Sequence, residues 1–306
     1  MSSPTPHTQT PIDCAVIGAG PAGMAAAVHA VRRGLKTVLF EANKPGGQAL
    51  AANWIEDYPG FPEGLTGPDL MTRFYAQVEA HTTSIQRERV TAIESGAEGF
   101  RIRTTSSETN ARTVILATGL VPKQLGVPGE HSLIDRRIFA YADPRSIPHA
   151  GKRVLIVGSG DAAFDQALNY ARQAAHVSIA IRGTTPRCNA TLARRVSETA
   201  IDVIRHCHIQ AISEVDGNLT MACRHGEMEM LIEADLLVTC IGKTSDISCL
   251  SPELRHRNTP GLFCAGDCQR GKSRHIAIAV GDGTTAAIAA SDFLRTNHCF
   301  TEGNRN

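Results

Sequence analysis

Excess charge of either sign is missing from this 306-residue sequence, which holds 31 Lys and Arg residues against 30 Asp and Glu residues. It therefore lacks the basic field that draws proteins to nucleic acids or membrane surfaces. It also lacks an apolar run of the roughly 18–20 residues needed to span a bilayer, and its first residues lack the pattern of a signal peptide. These absences predict a cytoplasmic protein with a disordered leader (residues 1–10) and a small-molecule or protein partner.

Paired cysteines are missing as well. Nine cysteines occur, but no two form C-x-x-C and none lies with histidines at the spacing of zinc ligands. An odd number at scattered positions does not match a secreted disulfide framework. We therefore predict buried thiols and no metal site. The one close pair is Cys264 and Cys268.

A glycine turn follows the first apolar segment, in IDCAVIGAGPAGMAAAVHAVRRGLKTVLFEA (residues 12–42). This stretch predicts a strand over Ile12–Ile17, G-x-G-x-x-G at Gly18, Gly20 and Gly23, a helix, and a second strand ending at Glu41. Such glycines allow a tight bend, close approach of the backbone to a pyrophosphate, and close helix packing, while the helix N-terminus faces the phosphates. The terminal acid accepts hydrogen bonds from an adenosine ribose. The pattern predicts a dinucleotide site; the alternative is a structural glycine turn.

A second turn of the same kind lies about 140 residues later, in KRVLIVGSGDAAFDQALNYARQAAHVSIAIRG (residues 152–183). Its motif is G-x-G-x-x-A, at Gly158, Gly160 and Ala163. The following strand ends in Arg182 rather than an acid, with Arg187 five residues on, where an adenosine 2′-phosphate needs a cation. NADPH is therefore favoured over NADH, although a solvated surface charge at Arg182 is the alternative.

A third element completes the first site from the far end of the chain. A strand over residues 262–265 leads into Gly266 and Asp267, and a helix of small residues begins near His275. Asp267 could bond a ribityl or ribose hydroxyl, and the helix start could face an electron-rich ring. We expect an α/β fold of two Rossmann-like three-layer domains, the second inserted into the first. The predicted boundaries are 11–117 with 243–298 for the first domain, 118–242 for the second, and 299–306 for a tail.

Eight short motifs then make a resemblance specific. They are GAGPAG (18–23), GGQ (46–48), DYPGFP (57–62), ILATG (115–119), VPGE (127–130), GSGDAA (158–163), CIG (240–242) and FCAGD (263–267). With them the chain resembles, over nearly its whole length, the thioredoxin-reductase-like FAD/NAD(P)H pyridine nucleotide-disulfide oxidoreductases. The resemblance implies FAD at the first turn, NAD(P)H at the second, and a homodimer. It also implies that the inserted domain rotates about the two places where the chain crosses between the domains, Thr118-Gly119 and Gly242-Lys243.

The residue patterns and the resemblance together predict the cofactor contacts. Those for FAD are Gly18, Gly20, Pro21, Ala22, Gly23, Glu41, Gly47, Gln48, Asp57, Thr118, Gly119, Gly266, Asp267, His275 and Ile276. Those for NAD(P)H are Gly158, Gly160, Asp161, Ala162, Ala163, Arg182, Arg187 and Gly242.

One departure from the family bears on function. Thioredoxin reductases carry a redox C-x-x-C before the second nucleotide strand, and its place here is taken by Tyr141 to Pro144. An internal dithiol relay at that position is excluded. This segment and Asp57 are instead similar to the thioredoxin-reductase-like ferredoxin/flavodoxin–NADP reductases, whereas the spacing from Gln48 to Asp57 and the segment RHIAIAVGDG resemble thioredoxin reductase.

Three functions follow from these features. The first is an FAD-dependent NAD(P)H oxidoreductase that passes electrons directly to an external acceptor such as ferredoxin, flavodoxin or a small molecule. The second is reduction or oxidation of a disulfide or dithiol in a thioredoxin-like partner or small thiol. The third is a catalytically quiet flavin-binding regulatory protein.

The candidate catalytic residues each have a plainer interpretation. Tyr141 stacks on the flavin or fills the gap left by the cysteines, and Asp57 tunes the flavin. Cys264 and Cys268 form a flavin-coupled disulfide or are simply buried thiols. Asp143 is expected to cap its own turn, as Asp before Pro often does.

Overall fold

The structure is a computed structural model that describes residues 12–81, 84–225, 228–255, 259–271 and 273–302, with side chains as far as residue 297. The predicted leader (1–10) and residues 303–306 of the predicted tail lie outside these ranges. Within them, no helix is both long and apolar enough to cross a membrane.

A seven-stranded sheet forms the first unit. Its strands are β1 (Ile12–Ile17), β2 (Thr37–Phe40), β3 (Ser84–Gln86), β4 (Val90–Gly96), β5 (Gly99–Thr104), β6 (Glu108–Leu116) and β17 (Leu262–Cys264). Their order is β3-β2-β1-β6-β5-β4, with β17 beside the end of β6. Strands β1, β2, β3, β6 and β17 are parallel, whereas β4 and β5 form an antiparallel extension.

Three helices belong to this unit: α1 (Pro21–Arg32), α2 (Gly67–Ala80) and α5 (Ile276–Glu302). Proline suits the first position of α1 because its missing N–H would have no partner there. The Ala-rich α1 packs closely on α5: a Cβ on Gly283 would lie 2.0 Å from the Ala22 carbonyl oxygen. Helix α5 begins one residue after His275, as predicted, and extends past residue 298.

A five-stranded parallel sheet forms the second unit, in the order β11-β10-β9-β15-β8. One face packs on α3 (Asp161–Tyr170) and α4 (Ala190–Ser197), and the other on an antiparallel meander. Strand β15 is buried throughout, as expected for a central strand covered on both faces. The sheet strands are β8 (Ile138–Ala140), β9 (Arg153–Val157), β10 (His176–Ala180), β11 (Asp202–Ile204) and β15 (Leu236–Thr239); the meander strands are β12 (Cys207–Val215), β13 (Asn218–His225) and β14 (Met228–Ala234).

The chain crosses between the two sheets through an antiparallel ribbon of β7 (Leu120–Pro122) and β16 (Lys243–Ser245). All strands of the second sheet lie between β7 and β16 in sequence, and β17 returns to the first sheet. This order confirms the predicted fold class, two Rossmann-like units with the second inserted into the first.

Candidate active site

Both glycine turns open into one cavity of about 1750 Å³ between the two sheets. Each turn follows the carboxyl end of a parallel strand, where open α/β sheets bind ligands. Ordinary small-ligand sites measure roughly 300–1,000 Å³, so the cavity has room for more than one large ligand. The residues predicted from sequence line it, except Gly23, Ala163, Gly266, Cys264 and Cys268.

The first turn has the backbone geometry that its three glycines predict. Gly18 has φ +101°, and a Cβ there would lie 2.6 Å from the Ala117 carbonyl oxygen. A Cβ on Gly23 would lie 1.7 Å from the Gly18 carbonyl oxygen, so this glycine lets α1 approach the strand. A Cβ on Gly20 would meet nothing within 4 Å. Gly20 therefore leaves free space beside the cavity, which fits a pyrophosphate.

Glu41 follows β2 directly and lines the same cavity. Its carboxylate accepts hydrogen bonds from the Ala19 N–H at 2.7 Å and from the Asn43 N–H at 2.7 Å. These bonds hold the carboxylate beside the glycine turn. The arrangement suits a carboxylate that receives a ribose hydroxyl.

The second turn repeats this geometry. Gly158 has φ +152°, and a Cβ there would lie 2.4 Å from the Cys240 carbonyl oxygen, whereas a Cβ on Gly160 would meet nothing within 4 Å. Ala163 is completely buried and packs in the core of the second unit. The third position therefore accepts an alanine in this turn, and Gly160 leaves space for phosphates as Gly20 does.

The two arginines that follow the second turn differ in their contacts. Arg187 is held against the turn, since its N–H donates to the Ser159 carbonyl oxygen at 2.6 Å and its Nε donates to Ser159 Oγ at 3.0 Å. Arg182 is exposed, lines the cavity and, among the described residues, forms no hydrogen bond or ion pair. Arg182 is thus free to bind an anion from the cavity.

Tyr141 occupies the position at which the family has its first thiol. Its backbone is left-handed (φ +43°), which is uncommon for a residue with a Cβ. The Lys243 ammonium lies 3.6 Å from the centroid of the Tyr141 ring, as a cation–π contact. The same ammonium donates to Gln48 Oε1, and Gln48 Nε2 donates to the Leu120 carbonyl oxygen at 2.8 Å. Lys243, a residue of the crossing ribbon, therefore contacts both Tyr141 and Gln48.

Burial controls the ionisation of this cluster. It lowers the pKa of Lys243 to about 8, opposed by the attraction of Cys240 and Asp267. Burial also raises the pKa of the Cys240 thiol to about 12 and raises the pKa of Tyr141. Near neutral pH the Lys243 ammonium thus lies beside a neutral phenol and a neutral thiol.

Other predicted residues lie around the start of α5. The His275 ring Nδ1 is 3.2 Å from Asp57 Oδ2, and both side chains are exposed. Burial raises the pKa of Asp267, opposed by Arg274 and Lys243. Asp143 caps its own turn as predicted, since its Oδ1 accepts from the Arg145 N–H at 3.1 Å.

Cys264 and Cys268 contact each other but lie outside the cavity wall. The Cys268 thiol is buried and donates to the carbonyl oxygens of Leu116 at 3.2 Å and Ala265 at 3.3 Å. Contact with Cys264 and burial raise the pKa of Cys268. These surroundings favour a buried thiol pair over a flavin-coupled disulfide. No group of three or more potential metal ligands occurs in the part of the chain that the structure describes.

The sequence pointed to Lys243 only as part of a crossing between the units, and it did not point to Asp165, which also lines the cavity. Asp165 lies one helical turn after Asp161 on α3, so the i, i+4 spacing could have placed it on the same face. Lys243 directly follows the CIG motif, but its contact with Tyr141 spans about a hundred residues. No local pattern predicts such a contact.

Comparison with known proteins agrees with this geometry. The family model described as pyridine nucleotide-disulphide oxidoreductase matches residues 12–283. The thioredoxin reductase of Eremothecium gossypii is 32% identical over 308 residues, covering 91% of this chain and 97% of that protein. The NADPH-dependent thioredoxin reductase 3 of Arabidopsis thaliana is 30% identical over 94% of this chain, which spans only 59% of the plant protein.

A solved structure shares the arrangement of both units. The thioredoxin reductase of Lactococcus lactis in its FR conformation superposes with a TM-score of 0.83 at 27% identity, over 93% of this chain and 99% of that one. The chain belongs to the pyridine nucleotide-disulphide oxidoreductase family and is a thioredoxin-reductase-like, FAD-dependent NAD(P)H oxidoreductase.

Proposed function

We propose that the cavity holds FAD at the first glycine turn and NADPH at the second. Gly20 and Gly160 leave room for phosphates, and the first residues of α1 and α3 line the cavity. Helix N-termini favour phosphate through their free N–H groups and dipole. Glu41 supports an adenosine ribose at the first turn, and Arg182 supports a 2′-phosphate at the second.

Bound at the first turn, FAD would supply the chemistry that takes hydride from NADPH and passes the electrons on to an acceptor. The protein's own groups position the reactants and set the charge around them. Lys243 supplies a positive charge beside Gln48 and Tyr141, and the contact between Asp57 and His275 steadies the first turn of α5. We propose Gln48, Asp57 and Lys243 as the groups that adjust the electron density of the flavin.

We further propose that electrons leave the flavin directly to an external acceptor, a small redox protein such as ferredoxin or flavodoxin. The observation that carries this proposal is the half-buried Tyr141 ring under the Lys243 ammonium, at the place where the resemblance puts the first thiol. The only cavity-lining thiols among the described residues are those of Cys240, which burial keeps protonated, and of Cys249, whose pKa burial raises to about 11. Neither residue supplies a dithiol for an internal relay.

A second candidate is direct reduction of a disulfide in a thioredoxin-like partner or a small thiol. It is favoured by the relatives, several of which are thioredoxin reductases. In this case the partner would supply both sulfur atoms. A catalytically quiet protein is disfavoured, because such a protein has no use for the open second turn and for an exposed Arg182 that lines the cavity.

We also propose a cytoplasmic homodimer whose inserted unit moves about the two crossings, Thr118-Gly119 and Gly242-Lys243. Gly119 (φ +71°) and Gly242 (φ +108°) adopt conformations that other residues resist, and a Cβ at either would meet at most one side-chain atom within 4 Å. Few atoms thus restrain the two positions about which the unit would turn. Light scattering of the purified protein measures the oligomeric state.

The function is tested by anaerobic titration of the purified flavoprotein with NADPH and, separately, with NADH. We expect NADPH to bleach the flavin absorbance, and reduced ferredoxin or flavodoxin to appear when either is added. Reoxidation by thioredoxin or a small disulfide, and not by ferredoxin or flavodoxin, would support the second candidate instead. A flavin that neither nucleotide bleaches contradicts both.

Gly160→Val provides a matched control for this titration. A Cβ at this position would meet no other atom within 4 Å, so the added side chain would enter the open space at the second turn. We expect this variant to keep its flavin and to lose reduction by NADPH, while dithionite still bleaches it. Full reduction of this variant by NADPH would show that the nucleotide binds elsewhere.

A further inference from the structure

Asp267 reaches the cavity from a short turn that packs against two helices. Residues 266–269 form a single turn of 3₁₀ helix soon after β17, and we call them the Asp267 turn. Gly266 has φ +72°, and a Cβ there would lie 2.7 Å from Ala22 Cβ of α1 and 3.5 Å from Ala279 Cβ of α5. The start of the turn is therefore seated between both helices, and Asp267 lines the cavity.

Asp282, two turns into α5, holds the Asp267 turn through its carboxylate. Its Oδ2 accepts from the Gly266 N–H at 3.3 Å and from Arg270 Nε at 2.9 Å, and its Oδ1 accepts from Arg270 Nη2. The Asp282 side chain is only 10% exposed. An arginine that binds both oxygens of a carboxylate fixes its direction as well as its distance. One carboxylate thus joins the first residue of the turn to the residue that follows the turn.

The surroundings of Asp282 keep its carboxylate ionised. Burial raises the pKa of Asp282. The hydrogen bonds from the Arg270 and Gln269 side chains, the charge of Arg270 and the Gly266 N–H outweigh burial, so that the pKa is lowered overall. An ionised carboxylate has acceptor sites for all of these donors at once.

Arg270 in turn holds a cation at the cavity wall. Its carbonyl oxygen accepts from Arg274 Nε at 3.3 Å and from Arg274 Nη2 at 3.2 Å. Arg274 lines the cavity, whereas Arg270 and Asp282 do not. Burial raises the pKa of Asp267, and the charge of Arg274 opposes this rise. Asp282 and Arg270 thus support two charged residues of the cavity wall without lining the cavity themselves.

We propose that Asp282, together with Arg270, is a positioning residue for the flavin half of FAD and acts by holding Asp267 and Arg274 at the cavity wall. The inference rests on the proposed function for the place of FAD. There the ADP half of FAD lies at the first glycine turn beside Glu41, which is held by the Ala19 and Asn43 N–H groups and not by Asp282. Loss of Asp282 should therefore weaken the contacts of one half of the cofactor.

The size of the effect follows from the bonds that hold the turn. Without the carboxylate a smaller fraction of the protein has the Asp267 turn in place, and the apparent Kd rises as that fraction falls. Loss of hydrogen bonds to a charged group changes an equilibrium about tenfold or more, and the exposure of Arg270 places this case at the lower end. We expect Asp282→Ala to raise the Kd for FAD about tenfold. Asp282→Asn keeps an acceptor for the Gly266 N–H and should raise it less than about threefold.

Titration of the apoproteins with FAD and with ADP tests the proposal. For the ADP titration both wild type and Asp282→Ala carry Gly160→Val, so that ADP reports the first turn. We expect Asp282→Ala to weaken FAD binding and to leave the affinity for ADP unchanged. Equal FAD affinity in wild type and Asp282→Ala would overturn the proposal. An equal loss for both ligands would also overturn it, because it would mean that Asp282 supports the whole first unit.

Asp235→Ala is the matched control, because Asp235 makes the same kinds of contact in the second unit. Its carboxylate accepts from the Arg153 N–H at 2.7 Å, from Arg153 Nε at 3.4 Å and from Arg153 Nη2 at 3.2 Å. Arg153 begins β9, so this contact lies at the opposite end of that strand from the second glycine turn. Thermal melts should show a loss of stability like that of Asp282→Ala, while the Kd for FAD stays within about twofold of wild type. A tenfold loss of FAD affinity in this control would contradict a local role of Asp282.

Arg270→Ala keeps the proposal testable if Asp282→Ala does not fold, because the Arg270 side chain is exposed. It should raise the Kd for FAD several-fold. Combining it with Asp282→Ala should weaken binding no further than Asp282→Ala alone, since residues that act as a unit are not additive; fully additive losses would contradict the shared role. These titrations need neither NADPH nor an acceptor. If NADPH fails to reduce the flavin, the proposed function fails, while the FAD affinities still decide the role of Asp282.

Discussion

Replacing Lys243 with methionine should stabilise the protein at neutral pH although it removes two contacts. The wild-type ammonium lies over the Tyr141 ring and donates to Gln48. Methionine has similar length and no charge, and its flexible side chain fills irregular space well. The substitution therefore tests whether burial of the charge outweighs the contacts that it makes.

The magnitude follows from the shifted pKa. Burial lowers the pKa of Lys243 from its ordinary 10.5 to about 8, and one pKa unit corresponds to about 1.4 kcal/mol. The buried ammonium thus destabilises the folded apoprotein by about 3 kcal/mol relative to the neutral amine. Loss of the contacts with Tyr141 and Gln48 offsets about 1–2 kcal/mol of the gain. We expect Lys243→Met to raise the free energy of unfolding by about 1–2 kcal/mol at pH 7.

The difference in unfolding free energy between Lys243→Met and wild type decreases as the pH rises. Between about pH 8 and pH 10.5 the unfolded wild type keeps a proton that the folded protein has released, so wild-type stability increases with pH in this window. Methionine cannot titrate. The advantage of Lys243→Met should therefore shrink to nothing by about pH 9.5. Urea unfolding of the apoproteins at both pH values, followed by circular dichroism, measures the difference.

Lys123→Met is the matched control, because Lys123 is exposed beside the same crossing ribbon. Its substitution should change stability by less than about 0.5 kcal/mol at either pH. The reasoning fails if Lys243→Met is less stable than wild type at pH 7 and the difference does not depend on pH. That result would mean that the Tyr141 and Gln48 contacts, not burial, dominate the energetics of this lysine.

Three further predictions concern the cofactors and the acceptor. Arg182→Ala should raise KM for NADPH about 10- to 100-fold and leave KM for NADH nearly unchanged, because a charged hydrogen bond contributes about 1.5–3 kcal/mol. Steady-state kinetics with both nucleotides measure this difference. Equal effects on both KM values would contradict a 2′-phosphate site. Gly23→Ala should yield unstable protein without flavin, since its Cβ would overlap a backbone oxygen. Gly20→Ala should fold normally and bind flavin more weakly. A stable, flavin-loaded Gly23→Ala would refute the turn geometry. Tyr141→Ala should speed NADPH-driven reduction of ferricyanide several-fold by removing a ring from the cavity wall, and an unchanged rate would mean that Tyr141 does not limit access.

The parts of the site that the sequence predicts are those set by neighbouring residues. Gly23 is needed because the Gly18 carbonyl oxygen, in the same strand-turn-helix, leaves no space for a side chain, whereas Gly18 is constrained by its own positive φ and by the Ala117 backbone after β6. Glu41 is identified by its position at the end of the next strand. Asp143 caps its turn through a residue two positions away. Such local geometry follows from spacing, so a sequence pattern captures it.

Contacts across the two units could not be predicted in the same way. The attachment of Gln166 to Ala51 and the position of Lys243 over Tyr141 depend on how the inserted unit lies on the first. Gln166 and Lys243 belong to no motif, and Lys243 is half-buried although lysines are usually exposed. The missing C-x-x-C was visible in the sequence, but the contact of the Tyr141 ring with the Lys243 ammonium required the structure.

Lys243 and Asp165 together link the two units to the nucleotides that lie between them. Burial lowers the pKa of the cation to about 8 and raises that of the acid to about 6, so between these values both groups are charged at an energetic cost. Ligands that offer a negative charge to Lys243, or hydrogen-bond donors to Asp165, would lower that cost only while the units are together. Nucleotide binding should therefore favour the arrangement in which the two units lie together, and that arrangement should tighten nucleotide binding by the same factor.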